Sequence, residues 1–268
     1  MTFDAFISAE RQGWHDRANA YADHTALATL QIVPAMLDML TIRPGQTLLD
    51  VACGPGHLAG AAAAVDLDAQ GIDYAAGMVR AAQARFPALT FAEADAEALP
   101  FADNSFDAVA CNMGLFHMGD PHKALREALR VLKPGGRFAF SQWTAPADSE
   151  LYARLFAALT EIADMNRADP APNAYALSDI DSTKGAMQEA GYANPEVRRL
   201  ETRLIATGDD FFAFFMKFGV RVPLIVAAQE PDVQNRLRDR INADMAPYRT
   251  ASGFEVPMPS LVYAGYKP

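Results

Sequence analysis

Apolar positions along this chain change period several times, and the order of the changes predicts the architecture. Leu48-Leu49-Asp50-Val51 is a short apolar run that enters a glycine-bearing turn, Ala52-Cys53-Gly54-Pro55-Gly56, and then an alanine-rich stretch from His57. That order predicts a buried strand, a tight turn and a helix. Further strands are predicted at 67–73, 89–93 and 106–111. Asp120-Pro121 then offers an N-cap with proline at the first helical position, 124–132 is helical, and Lys133-Pro134-Gly135-Gly136 stops the helix before a fifth strand at 137–143. Strands alternating with helices argue for a parallel sheet.

The alternation fails beyond Trp143. Leu151, Leu155, Phe156, Leu159 and Ile162 give 150–165 a helical period, and Asp169-Pro170-Ala171-Pro172-Asn173 forces an extended loop. A strand is predicted at 195–206, helices at 209–219, 221–229 and 232–245, and a last strand at 253–266. The chain therefore reads as a single domain. Residues 1–45 form leading helices, 46–143 a cofactor-binding core, 144–194 and 207–250 a helical cap, and 195–206 and 253–267 closing strands. The cap is expected over the carboxyl ends of the strands, where open α/β sheets bind ligands.

The turn at 52–56 is the first candidate for chemistry. Glycines there are expected to leave backbone N–H groups and a helix N-terminus facing a ligand. Gly54-x-Gly56-x-x-Ala59 also fits a dinucleotide fingerprint. Asp50 argues against that reading, because a strand-end carboxylate would repel a pyrophosphate and attract an ammonium group. Asp73 follows at about the 20-residue spacing at which a carboxylate takes ribose hydroxyls.

From Leu48 to Gly56, through Gly71-Ile72-Asp73, the segment from Glu93 to Phe101, Asn104-Ser105-Phe106-Asp107, and Ala124 to Gly136, the chain resembles the class I S-adenosylmethionine-dependent methyltransferases. Within them it is similar to the small-molecule branch that includes the ubiquinone and menaquinone biosynthesis enzymes. The likeness is dense over 46–143 and loose elsewhere. It implies a Rossmann-like, doubly wound α/β fold with a mostly parallel seven-stranded sheet, an antiparallel last strand and a helical cap. It also implies S-adenosylmethionine as cofactor. Asp50 and the backbone at Gly54 and Gly56 would hold the methionine part and Asp73 the ribose, Asp95 with the backbone of Ala96 would hold the adenine amino group, and Ala52, Tyr74, Met78, Asn112 and Tyr21 would complete the site.

Composition narrows the setting. With 33 acidic and 23 basic side chains and a net charge of −10, the surface field opposes phosphate polymers and anionic lipid. A small-molecule substrate is expected, with no nucleic-acid or membrane partner, in a monomer or homodimer. Cys53 and Cys111 do not look like a stabilising pair, no run of about 18 apolar residues is present, and the first residues are acidic where a signal peptide is basic. A cytoplasmic location is expected. Five scattered histidines form no ligand-spaced cluster, so no metal is expected.

Methyl transfer asks the protein mainly to align a nucleophile and exclude water. His117, after the fourth strand, is the candidate general base; the alternative is a ring packed under an Asp120 cap. His57 reads as a loop residue, and His15, His24 and His122 as surface positions on helices. Trp14, Ala18 and Tyr21 share a helical face that the resemblance places over the cofactor. Phe211, Phe212, Phe214, Phe215 and Phe218 occupy more faces than one core stripe needs, so some should line the cap's inner wall. The expected function is methylation of a small apolar or aromatic molecule, with oxygen preferred over nitrogen or carbon. The alternatives are an NAD-dependent oxidoreductase and a non-catalytic S-adenosyl-compound-binding protein.

Overall fold

A computed structural model describes residues 3–268. Three helices, α1 (Asp4–Arg17), α2 (Ala26–Thr29) and α3 (Val33–Leu40), precede the alternating region. That region runs β1 (Thr47–Val51), α4 (His57–Ala63), β2 (Asp68–Asp73), α5 (Ala76–Arg85), β3 (Thr90–Glu93), β4 (Phe106–Cys111), α6 (Pro121–Val131) and β5 (Leu132–Trp143). There follow α7 (Glu150–Ile162), α8 (Ile180–Ala190), β6 (Ala193–Leu200), β7 (Arg203–Thr207), α9 (Phe211–Phe218), α10 (Arg221–Ala227), α11 (Pro231–Met245), β8 (Gly253–Pro257) and β9 (Ser260–Tyr266).

Local chemistry sets several of these boundaries. The Asp120 carboxylate accepts from the Lys123 amide with Pro121 in the first turn of α6, and Asp179 and Asp210 cap α8 and α9 in the same way. The main sheet has seven strands in the order β3-β2-β1-β4-β5-β9-β6. Neighbours from β3 to β5 are parallel, and β9 runs antiparallel to both β5 and β6. The strand order reverses between β1 and β4, which opens a crevice at their carboxyl ends. Consecutive residues of β1 serve opposite faces. Leu48 packs in a core shared with Ala108, Ala139, the cap residue Phe211 and Phe254 of β8, and Leu49 in a second core with Val109, Leu125 and Met187. The cap is thus continuous with one face of the sheet.

Two expectations need correction. The strand predicted at 195–206 is two strands, and so is the one at 253–266, because β7 and β8 leave the main sheet and pair with each other. Both crossings occur at one place, where the Met258 amide donates to the Thr202 carbonyl at 2.9 Å and the Thr202 hydroxyl donates to the Met258 carbonyl at 2.6 Å. The apolar period runs on through the crossing, so it could not mark it. Second, α8 was assigned to the cap, yet it packs on α6 and β6 with Ala186 and Met187 in the second core. A crossover from β5 to the parallel β6 needs a helix returned to the sheet.

Candidate active site

Three residues of the turn after β1 have positive φ: Ala52 at 54°, Gly54 at 52° and Gly56 at 79°. Glycine is required at 56 twice over, since a Cβ there would also lie 2.8 Å from the Phe91 ring. The turn's amides point inward. Gly54 N–H donates to Asp73 Oδ2 at 2.9 Å, Gly56 N–H to the Cys53 carbonyl at 3.0 Å, and Ala59 N–H to Asp50 Oδ2 at 3.0 Å. The expectation that the glycine N–H groups face a ligand is therefore corrected. Asp50 and Asp73 are buried carboxyls that need donors, and the turn supplies them.

The two acids differ in position. Asp50 is 1 % exposed and lines neither of the cavities described next. Burial pushes its pKa up to about 8, the Ala59 amide opposes the rise, and the Asp73 charge adds to it. At pH 7 it is mostly neutral, so the expected contact between its carboxylate and an ammonium group is replaced by support of the turn from beneath. Asp73 is raised by burial to about 6, with the Ala75 and Gly54 amides holding it down, and is mostly ionised at pH 7.

Two cavities, of about 770 and 420 Å³, open over the carboxyl ends of the strands and share Ala52, Asp73, Tyr74, Gly114 and His117 as walls. The smaller runs past the end of β3 and is lined by Asp95 and Ala96. Asp95 Oδ1 accepts from the Glu97 amide at 2.8 Å. At the junction the Tyr74 hydroxyl is buried with no hydrogen-bond partner, and burial raises its phenol pKa. Such an orphan is expected where a polar ligand completes the site.

The larger cavity lies under the cap and is lined by Tyr21, Met78 and Asn112. Tyr21 stacks on His57 with ring centroids 5.9 Å apart, and burial pushes its phenol to about 12. Trp14 lies 6.2 Å from the Tyr21 ring, while Ala18 packs with Ala75 and Met78, so this stripe of the leading segment faces the turn. Asn112 is already committed: its Nδ2 donates to the Thr29 carbonyl at 3.2 Å and its Oδ1 accepts from the Ser141 hydroxyl at 2.7 Å. Phe215 and Phe218 line the cavity as the cap reading expects. Phe211 packs on Phe254 and Phe214 on His24.

His122 is exposed on α6 as expected, and the other histidines fall differently. His57 begins α4, and burial, followed by the Arg85 charge, lowers it to about 4. His15, expected at the surface, accepts from the Gly77 amide at 3.2 Å, and His24 lies against Phe214, because α1 and the turn after it are covered by α5 and the cap. His117 does not pack under Asp120. Its Nδ1 is 2.7 Å from Glu10 Oε1, a side chain of α1 that is fully buried and whose Oε2 has no partner. The second ring nitrogen is left for the cavity. α1 can come this close because residue 77 of α5 is glycine; a Cβ there would sit 2.4 Å from the His15 carbonyl oxygen.

Glu10 was not anticipated from the sequence. The available signal is a carboxylate in the middle of the stripe Phe6, Glu10, Gly13, all buried in α1. Arg221, at the start of α10, was also missed; it lines the larger cavity.

Residues 49–140 match the family model described as a methyltransferase domain. The demethylmenaquinone methyltransferase of Renibacterium salmoninarum is 35% identical over 181 residues, covering 64% of this chain and 76% of that protein. The chain belongs to the class I S-adenosylmethionine-dependent methyltransferases, of the ubiquinone/menaquinone biosynthesis type. The ubiquinone/menaquinone biosynthesis C-methyltransferase UbiE of Klebsiella pneumoniae is 30% identical, covering 63% of this chain and 75% of that one. Among solved structures, the YcgJ protein from Bacillus subtilis shares the fold at 20% identity and TM-score 0.61, covering 88% of this chain and 98% of that one. A phosphoethanolamine N-methyltransferase 2 of Haemonchus contortus, in complex with S-adenosylhomocysteine, aligns at 19% identity and TM-score 0.53 over 89% of this chain and 52% of that one.

This methyltransferase uses S-adenosylmethionine. The comparisons favour neither the NAD-dependent nor the non-catalytic alternative. They lend no support to oxygen as the preferred acceptor, since UbiE carries carbon methylation in its name. Among the described residues, no helix of the methyltransferase is long and apolar enough to cross a membrane.

Proposed function

We propose that this methyltransferase transfers a methyl group to a ring carbon of a small quinone-type molecule in its reduced, hydroxyl-bearing form, with His117 as the general base. The observation that carries the proposal is His117 at the junction of the two cavities, its Nδ1 held by the buried Glu10. The names of the relatives support the quinone class. The reduced form follows from chemistry, because an oxidised quinone ring is electrophilic and cannot attack a methyl group.

When bound, the cofactor's sulfonium supplies an activated methyl and departs as a neutral thioether. On this reading Asp73, with lone pairs left over, and the partnerless Tyr74 hydroxyl take the ribose, and Asp95 and the Ala96 backbone take the adenine. Ala52, Gly54, Met78, Tyr21 and Asn112 wall the methionine end, with Asp50 and Gly56 acting through the shape of the turn. His117 Nε2 removes the proton of an acceptor hydroxyl, which concentrates electron density on the adjacent ring carbon. That carbon takes the methyl and releases its own hydrogen as a proton, and the imidazolium returns the first proton to the oxygen. One proton is released per turnover. Glu10 fixes the ring's orientation and balances the imidazolium charge, while Trp143, Phe215 and Phe218 keep water from the transfer.

His117→Ala should lower turnover on a reduced demethylated naphthoquinone about 10²–10⁴-fold, with S-adenosylhomocysteine affinity unchanged within a few-fold. Full turnover in a folded His117→Ala protein would remove the base. A product methylated on oxygen by NMR, or no turnover of reduced quinones by the wild type, would overturn the acceptor assignment.

A further inference from the structure

Arg221 is a charged wall residue that the proposed chemistry leaves unused, as are Arg167 and Asp169. It stands at the first position of α10, lines the larger cavity, and is half-buried. Among the described residues it forms no ion pair. Its Nη1 donates to the Pro172 carbonyl at 2.6 Å, its Nη2 to the Phe116 carbonyl at 3.5 Å, and the guanidinium carbon lies 4.7 Å from the centre of the Phe6 ring. The other arginine on this wall, Arg167, is paired with Glu230 at 2.7 Å.

A guanidinium carries five N–H donors, and carbonyls take two of them here. The Arg221 Nε, which has no partner, is not among the fully buried unpartnered atoms, so at least this donor is accessible on a residue that lines the cavity. Burial lowers its pKa, opposed by the charge of Glu10, yet an arginine stays protonated. A cation already stripped of part of its hydration, with donors left over and an aromatic face beneath it, binds an anionic oxygen more strongly than it would in water. Phe116, which it touches, adjoins His117, and Phe6 lies one helical turn before Glu10. Arg221 therefore stands at the same part of the cavity wall as the proposed base.

We propose that Arg221 forms an oxyanion subsite for the acceptor, selecting aromatic molecules that carry an acidic oxygen, either a phenol-type hydroxyl or a carboxylate. The inference rests on the aromatic-acceptor reading above and adds to it the charge of the ligand.

The test uses the full chain saturated with S-adenosylhomocysteine and titrated by calorimetry with 2-naphthoate, 2-naphthol and the neutral isostere 2-naphthamide. The wild type should bind at least one of the two acidic probes about tenfold or more tightly than the amide, and which one it is distinguishes carboxylate from phenol recognition. Arg221→Gln should bring all three affinities within about threefold of each other, and Arg221→Lys should retain part of the preference. S-adenosylhomocysteine affinity, unchanged in both variants, serves as the check on folding. Equal affinities in the wild type, or a preference that survives in Arg221→Gln, would overturn the subsite and leave the aromatic-acceptor reading standing. A loss of S-adenosylhomocysteine affinity in folded Arg221→Gln with the probe preference intact would assign the cation to the cofactor's own carboxylate and also overturn it. If none of the three probes binds the wild type, the aromatic-acceptor reading fails and the subsite with it.

Discussion

The two cavities are built in opposite ways. The smaller one has a floor assembled by neighbours in sequence, where the turn after β1 donates to Asp73 at the end of β2 and Asp95 and Ala96 follow directly on β3, with Ile7 and Arg11 of α1 and the segment from Gly114 to Gly119 closing its side. On that floor the carboxylates of Asp73 and Asp95 are held by backbone amides, and each element needs only the next strand to be placed. The larger one draws Phe6 and Trp14 from the leading helix, Tyr175 from the loop after α7, Phe215 from α9 and Arg221 from α10, residues separated by most of the chain. Side chains hold it together, as where Arg221 reaches the Pro172 and Phe116 carbonyls. A cofactor common to many enzymes can be served by a local, backbone-defined site. An acceptor particular to one enzyme is served by side chains on segments that can change without disturbing the sheet.

The contrast breaks first in the cap if its phenylalanines are interchangeable. Phe211 is fully buried against Phe254 and Phe215, whereas Phe215 also forms cavity wall. Phe211→Ala should cost about 3–5 kcal/mol of stability in chemical denaturation with little change in acceptor selectivity. Phe215→Ala should cost less and should change acceptor affinity while S-adenosylhomocysteine affinity stays within a few-fold. Equal stability losses and no selectivity change would make the whole helix plain core.

A smaller effect sharpens the cofactor side. Asp73→Asn should weaken S-adenosylhomocysteine binding by about 1.5–3 kcal/mol, read by calorimetry, and leave the relative affinities of acceptor analogues unaltered. The alanine variant is a poorer probe, because it would also strip the Gly54 and Ala75 amides of their acceptor. Unchanged cofactor affinity in folded Asp73→Asn would detach Asp73 from the ribose.

A pH-dependent effect concerns Asp50. Its pKa is raised on folding, to about 8, so its contribution to stability is fully present below the unfolded value of about 3.9 and is lost as pH rises through the folded one. The melting temperature of Asp50→Asn, which can still accept from the Ala59 amide, should therefore gain on that of the wild type between pH 4 and pH 8. A difference that stays flat over this range would mean that Asp50 is not desolvated beneath the turn.

Glu10 and Asp50 show where reading the chain succeeds and where it stops. Asp50 was placed correctly at the end of a strand beside a glycine turn, because strand, turn and helix are written in consecutive residues. Its direct contact with a ligand was not legible, since whether a strand-end carboxyl looks up into a cavity or down into the core depends on which amides the folded turn presents. Glu10 was passed over because a carboxylate on an amphipathic helix normally faces water, and only its encounter with His117 across 107 residues makes burial tolerable.

The sequence by itself determined the alternating sheet, the glycine turn and the aspartates at the ends of β1 and β2, since each rests on apolar period, capping and turn chemistry within a few consecutive residues; the methyltransferase family was legible through the resemblance of the ordered segments over 46–143. Tertiary structure alone decided that the closing strands divide between two sheets, that α8 belongs to the sheet, that Asp50 lies beneath the turn, that Glu10 reaches His117, and that His117 and Arg221 line one cavity. These depend on pairings between distant segments. A period of two or of 3.6 residues specifies which face of an element is apolar, but not which remote element will cover that face.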